Sequence, residues 1–248
     1  MSFTHRVAYH EMMARLGVGD LHPGGKAASS FLLAELRKHG VSRVLEVGAG
    51  IGNTTERLLK SGFAVTAIEP NATLRKILTK RLRIEAGSTP FETFEASDGS
   101  YDAVISESVF YALDVPTSLA KAQRLLRPGG LFGFAEMFWT EAAEPNVIAL
   151  NHDQTKKIFG IPMAPREPVT SATWGKALCH AGFSELAAMR LDPAAPAGGR
   201  HMHRKRLALG LLRRPYLIPT FLSYRSHERR GWAPPRWLES RVAVWRRT

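Results

Sequence analysis

Apolar residues fall along this chain in two rhythms, short continuous runs and longer stretches of helical period, and the two alternate. The short runs are Val44 to Val47, Ala64 to Glu69, Leu82 to Ala86, Ala103 to Ser106, Leu131 to Glu136, Glu185 to Arg190 and Arg241 to Trp245. Between them, Asn53 to Lys60, Ala72 to Lys80, Pro116 to Leu126, Val147 to Phe159 and Ala172 to Ala181 read as helices. Runs buried on both faces, separated by helices, are what a parallel sheet with two helical layers requires. Ahead of this core, Phe3 to Leu16 can form a short helix with Phe3, Val7, Tyr9, Met12, Met13 and Leu16 available for apolar contacts, and Lys26 to Lys38 forms a helix closing at Gly40. Residues 192 to 199, DPAAPAGG, break the pattern as an exposed linker.

The stretch from Val44 to Thr55, VLEVGAGIGNTT, carries the chemistry. An apolar strand meets a turn of Gly48, Ala49, Gly50, Ile51 and Gly52, almost without side chains, and a helix starts at Asn53. Glycine lets backbone approach a ligand, and the free amides of a helix start attract polar or anionic groups. Counting from Gly48, the sixth position of the dinucleotide fingerprint is Asn53 where glycine is needed, which disfavours a nicotinamide cofactor. Glu69 ends the next run, nineteen residues after Gly50, where a carboxylate accepts from both hydroxyls of a ribose.

The turn EVGAGIG, the acidic strand end at Glu69, the run YDAVISESVFYAL from Tyr101 to Leu113 and LLRPGG from Leu125 to Gly130 together resemble the class I S-adenosylmethionine-dependent methyltransferases, in order, from residue 20 to residue 190. The resemblance implies an α/β fold: a doubly wound, mostly parallel seven-stranded sheet of Rossmann-like type, its last strand antiparallel and a helical insertion before that strand. It implies S-adenosylmethionine as methyl donor and S-adenosylhomocysteine as product. Cofactor contacts are expected at Glu46, Gly48, Ala49, Gly50, Gly52, Glu69, Pro70 and Ser106, with Gly24 and Gly25 at a helix entry meeting the cofactor's carboxylate. The family commonly has an acidic residue just after Gly87 that contacts the adenine amino group; Ser88 and Thr89 stand there instead and are the expected cofactor contacts in its place, through a hydroxyl or backbone amide. Ligands bind beyond the carboxyl ends of such strands, so Glu107 and Tyr111 are the catalytic candidates. Phe110, Tyr111 and Trp139 are acceptor contacts able to face a cationic methyl group. An N-terminal helix often covers the site in this family, which adds Tyr9 and His10. Glu136 reaches the same edge, where a strand-end carboxylate is more often a structural hydrogen-bond acceptor than a base.

Length and composition favour a single methyltransferase domain over 1–248, with 1–25 as an N-terminal lid and 192–239 as a basic, apolar insertion. No apolar run is long enough for a membrane span and the N-terminus lacks a signal-peptide core, so a cytoplasmic location is expected. One cysteine, Cys179, excludes an internal disulfide and a cysteine-rich metal site, and His201 with His203 does not complete one.

The net charge of +12 is concentrated. Residues 200 to 248 hold thirteen Lys or Arg against Glu228 and Glu239, a balance of +11, leaving +1 for the rest. Three readings of this segment stand side by side: a helical cap over the acceptor pocket, a contact with an anionic membrane surface, or an RNA-binding surface. The expected activity is methyl transfer to an N, O, S or C atom of a small molecule by in-line displacement. An RNA methyltransferase, a membrane-associated lipid or quinone methyltransferase and a non-catalytic cofactor-binding scaffold are the alternatives. No N-P-P-Y or D-P-P-Y motif follows Ser106, and Cys179 lies on a late helix, which argues against base methylation.

Overall fold

The computed structural model describes residues 8–159, 169–191, 200–231 and 237–248; the side chains of 111, 157–159, 200–204 and 227–231 lie outside the described set. Strands β1 (Arg43–Val47), β2 (Ala64–Ile68), β3 (Tyr101–Glu107), β4 (Leu126–Trp139), β5 (Phe183–Leu191) and β6 (Leu238–Arg247) form one sheet in the order β2-β1-β3-β4-β6-β5. The first four run parallel, and β6 is antiparallel to both β4 and β5.

The sheet has six strands among the described residues where the sequence pattern gives seven. The run Leu82 to Ala86 does not become a strand. Leu82 is spent as the last residue of helix α4 (Ala72–Leu82), and Arg83 turns left-handed at φ 57°. Only Gly87 reaches the sheet, bridging Ile68, with Glu69 N donating to Gly87 O and Gly87 N to Ala67 O, both at 2.9 Å.

Alternation along the strands sorts the core onto two faces. Leu45, Val47, Val104, Phe132, Phe134 and Phe138 meet helices α5 (Val115–Leu125) and α7 (Ser171–His180) through Leu119, Ala122, Leu125, Trp174 and Leu178. On the other face Val44, Ala103, Ile105, Ala135 and Val244 meet α2 (Gly25–Lys38) and α3 (Asn53–Lys60) through Ala28, Leu32, Leu36 and Leu58. Because four strands are parallel, their carboxyl ends lie along one edge, and the chain winds away from β1 in one direction to β2 and in the other to β3. The crevice at that switch point, where Val47 pairs with Ser106, is where such sheets bind ligands.

The N-terminal segment reaches this edge, and helices from residues 200–231 pack onto that segment. Helix α1 (Tyr9–Arg15) buries Met12 and Met13, and with Leu16 and Val18 they pack on Leu217 and Tyr224 from the C-terminal segment. That segment comprises α8 (Arg200–Arg213), a short turn Pro215–Leu217 and α9 (Ile218–Gly231). At Gly210 the backbones touch: a Cβ there would lie 2.6 Å from the Leu16 carbonyl oxygen. Helix α6 (Pro145–Phe159) packs beside α9. The described part of the expected N-terminal helix is α1; Phe3 and Val7, and the linker 192–199, lie outside the described residues. No helix among the described residues is long and apolar enough to cross a membrane.

Phe110 is the keystone of the first face, fully buried with its ring 5.0 Å from Phe132 and 5.7 Å from Phe91. Phe110→Ala leaves a cavity that this rigid aromatic set cannot close, and is expected to cost about 3–5 kcal/mol of stability. Urea denaturation measures it; a cost under about 1 kcal/mol would show that the ring is not held in the core.

Candidate active site

The glycine turn is built by backbone geometry. Gly48 sits at φ 70° and Gly50 at φ 56°, conformations that cost other residues strain. A Cβ on Gly48 would collide with the Val109 side chain, whereas one on Gly50 would meet nothing within 4 Å. The turn is closed against β2 by Glu69. Its Oε2 accepts from Gly50 N and its Oε1 from Asn71 N, each at 2.8 Å. Burial raises the Glu69 carboxyl above its ordinary value, with the two amides pulling the other way. Asn71 in turn caps α4, accepting from Thr73 N and Leu74 N, and its Nδ2 donates to Glu11 of α1 at 3.1 Å.

Three further glutamates converge at the neighbouring strand ends. Glu46 and Glu107 share the α2–α3 face, since Glu46 pairs with Ile105. Ser29 Oγ donates to Glu107 Oε1 at 2.8 Å and Thr54 Oγ1 to Oε2 at 2.5 Å, which ties the N-terminal parts of α2 and α3 to the end of β3. His22 Nε2 lies 3.5 Å from Glu107 Oε1. Burial pushes the Glu46 carboxyl up to about 8, and the charge of Glu107 adds to the shift. Glu136 stands on the opposite face. Its Oε1 accepts from Val109 N at 2.9 Å and Phe110 N at 3.0 Å, and burial, with Glu107 adding to it, pushes this carboxyl up to about 8 as well. These bonds stabilise a strained turn in which Ser108 adopts φ 59°.

The segment between α1 and α2 is pinned across α3. Asp20 forms a two-bond ion pair with Arg57, at 2.6 and 2.9 Å. Burial opposes ionisation of Asp20, but the Arg57 guanidinium outweighs it and holds the carboxyl below its usual value. On α1, burial lowers the pKa of His10, and the Tyr9 ring lies edge-on to Tyr224 at 5.3 Å.

Residues 45–134 match the family model described as a methyltransferase domain. The chain is 28% identical over 190 residues to the uncharacterized methyltransferase YodH of Bacillus subtilis, covering 75% of this chain and 78% of the relative. Further Bacillus and Oceanobacillus methyltransferases are 31–32% identical, and the chain spans only 54–60% of their length. The fold matches a proposed sarcosine dimethylglycine methyltransferase from Galdieria sulphuraria with a TM-score of 0.70 at 17% identity, covering 95% of this chain and 96% of that one. It also matches the 1,6-didemethyltoxoflavin-N1-methyltransferase of Burkholderia thailandensis, solved with its acceptor and S-adenosylhomocysteine, with a TM-score of 0.57 at 18% identity over 90% and 77% of the two chains.

The methyltransferase domain over residues 45–134, the methyltransferase relatives and the fold together support a class I S-adenosylmethionine-dependent methyltransferase. The residues at the edge suit that cofactor. Gly50 leaves open space, Glu69 retains a lone pair on each oxygen beyond its backbone bonds, and Glu46 Oε2 and Ser106 Oγ are buried without a hydrogen-bond partner among the described residues. Hydroxyl and ammonium groups are the partners such acceptors take.

Of the methyltransferase residues singled out in the sequence, the structure gathers Glu46, Gly48, Ala49, Gly50, Gly52, Glu69, Ser106 and Glu107 around the switch point. Gly24, left-handed at φ 70°, and Gly25 open α2 beside them. Pro70 and Ser88 are exposed and Thr89 is half-buried beyond β2. Phe110 belongs to the core, and Trp139 is fully buried with Ile148 and Leu238. Tyr9 and His10 lie on α1, where Tyr9 packs against the cluster of Met12, Leu217 and Tyr224, and the Tyr111 side chain is outside the described residues. Sequence reasoning assigned no role to Ser29, Thr54, His22 or the Asp20–Arg57 pair. Hydroxyls near the starts of two helices that flank a strand-end glutamate are the signal that would have found them.

The Glu136 carboxyl stays protonated in the folded chain up to about 8, whereas an unfolded glutamate ionises near 4.5. Between those values the unfolded state binds fewer protons, so this group makes stability fall as pH rises, by about 1.4 kcal/mol per pH unit. Glu136→Gln is expected to remove that share, so that its stability relative to the unsubstituted enzyme improves from pH 5 to pH 8. Parallel pH slopes in urea denaturation of the two proteins would refute it.

Proposed function

We propose that this enzyme methylates a small molecule enclosed between the glycine turn and the helical cap. The observation that carries the reading is that the N-terminal segment is tied down beside the ligand edge and the helices of residues 200–231 pack onto that segment. The Glu11–Asn71 bond lies next to Glu69, and the Asp20–Arg57 pair lies next to the start of α3. A cap anchored there suits a compact acceptor better than a polymer laid across an open groove. The toxoflavin-precursor enzyme named above is a small-molecule methyltransferase with the same fold, which supports the reading by analogy.

When bound, S-adenosylmethionine supplies a sulfonium-activated methyl group. In this reading Glu69 accepts from the ribose hydroxyls, and the amides at Gly24 and the start of α3 face the cofactor's carboxylate, the Gly25 amide being held by the His22 carbonyl. Glu46 and Ser106 offer their unused acceptor capacity to its polar groups. Glu107 acts as a positioning residue, because both its oxygens already hold hydroxyls from α2 and α3. Displacement at a methyl carbon mainly requires the acceptor atom to be held about 3 Å away and in line. An acceptor hydroxyl or ammonium must also lose a proton, and His22, with Glu107 behind it, is the pair placed to hold one.

Incubation with methyl-labelled cofactor and a metabolite extract is expected to label a small molecule; label found only in RNA or protein would overturn the reading. Glu69→Ala is expected to weaken S-adenosylhomocysteine binding about 10- to 100-fold, the worth of charge-assisted hydrogen bonds. Calorimetry reads this directly, and an unchanged affinity would remove Glu69 from the ribose site.

A further inference from the structure

The C-terminal segment carries apolar residues on two sides. Leu207, Leu211, Leu217, Phe221 and Tyr224 turn inward onto α1. The other side stays in water: Leu209 is 48% exposed, Leu212 79%, Tyr216 62%, Ile218 39% and Leu222 59%. Among the described residues only one other large apolar side chain, Leu150, is comparably exposed. From Lys205 to Arg225 the sequence holds five Lys or Arg and no Asp or Glu. Lys205, Arg206 and Arg213 are exposed, Arg214 is half-buried, and none of these four has a carboxylate within ion-pair distance among the described residues. The positive field of Arg206 reaches Arg81 of α4, extending the basic zone beyond the segment.

We propose that this face of α8 and α9 docks on an anionic lipid surface. Leucine and isoleucine side chains left in water gain by entering the boundary between headgroups and acyl chains, and an unpaired basic rim is attracted to acidic headgroups. The chemistry favours lipid over RNA. Single-stranded nucleic acid is held by stacking on aromatic faces, and this surface presents four aliphatic residues against one tyrosine.

Co-sedimentation of the full chain with phosphatidylglycerol vesicles, and separately with phosphatidylcholine vesicles, tests the proposal. Binding to the anionic vesicles, reduced by salt and weak on the neutral ones, is expected. Leu212→Glu combined with Leu222→Glu is expected to lower the partition coefficient at least about tenfold, and Lys205→Glu combined with Arg213→Glu likewise. All four positions are exposed, so unfolding temperature and S-adenosylhomocysteine affinity stay as in the unsubstituted chain. No binding to anionic vesicles overturns the proposal, as does binding that the leucine substitutions leave intact. An RNA mobility shift lost with the charge reversals alone, or a dimer that the leucine substitutions dissociate without any vesicle binding, assigns the face elsewhere and also overturns it.

Discussion

Backbone amides that emerge from the carboxyl end of a parallel sheet have lost their ladder partners, and something must accept from them. In this enzyme glutamate side chains do so. Glu69 holds the amides of Gly50 and Asn71, and Glu136 holds those of Val109 and Phe110. Glu107 extends the scheme to hydroxyls, drawing Ser29 and Thr54 onto the end of β3. The loop conformations that bring Val109 onto Gly48, and α2 and α3 to the crevice, rest on these bonds. The cost is desolvation, visible in the raised carboxyls of Glu46 and Glu136. A structure that keeps buried acids at one edge retains acceptor capacity there for a polar ligand.

Much of the scaffold was legible because it depends on local pattern. The strand from Val44, the turn to Gly52 and the helix from Asn53 follow from side-chain period and glycine placement, and they appear where the pattern puts them. The run Leu82 to Ala86 was misread because an apolar run alone does not say whether a preceding helix has finished. α4 takes Leu82, and the left-handed Arg83 leaves too little chain to pair. Within the site, Glu69 was legible because its spacing from the turn is short. The partnership of Glu107 with Ser29 and Thr54 was not, because it spans three elements and carries no period. Phe110 and Trp139 read alike in the sequence as strand-end aromatics, yet burial places both rings inside packed clusters, which only the tertiary arrangement decides.

The charge distribution has a similar history. Composition alone shows a basic protein, but nearly all the imbalance belongs to the last fifth of the chain. Folding separates the roles of that segment's residues: one apolar side packs onto α1, the other stays in water, and the basic residues flank both. The same helices therefore meet the enzyme on one side and its surroundings on the other.

Gly210 gives this arrangement a mechanical consequence. Most helix pairs are separated by a layer of side chains that can change rotamer and let one helix slide past the other. At Gly210 that layer is missing, and α8 rests on the carbonyl of Leu16 at the end of α1. Any side chain at position 210 would therefore push α8 away from the segment that leads through Asp20 and His22 into the first turn of α2.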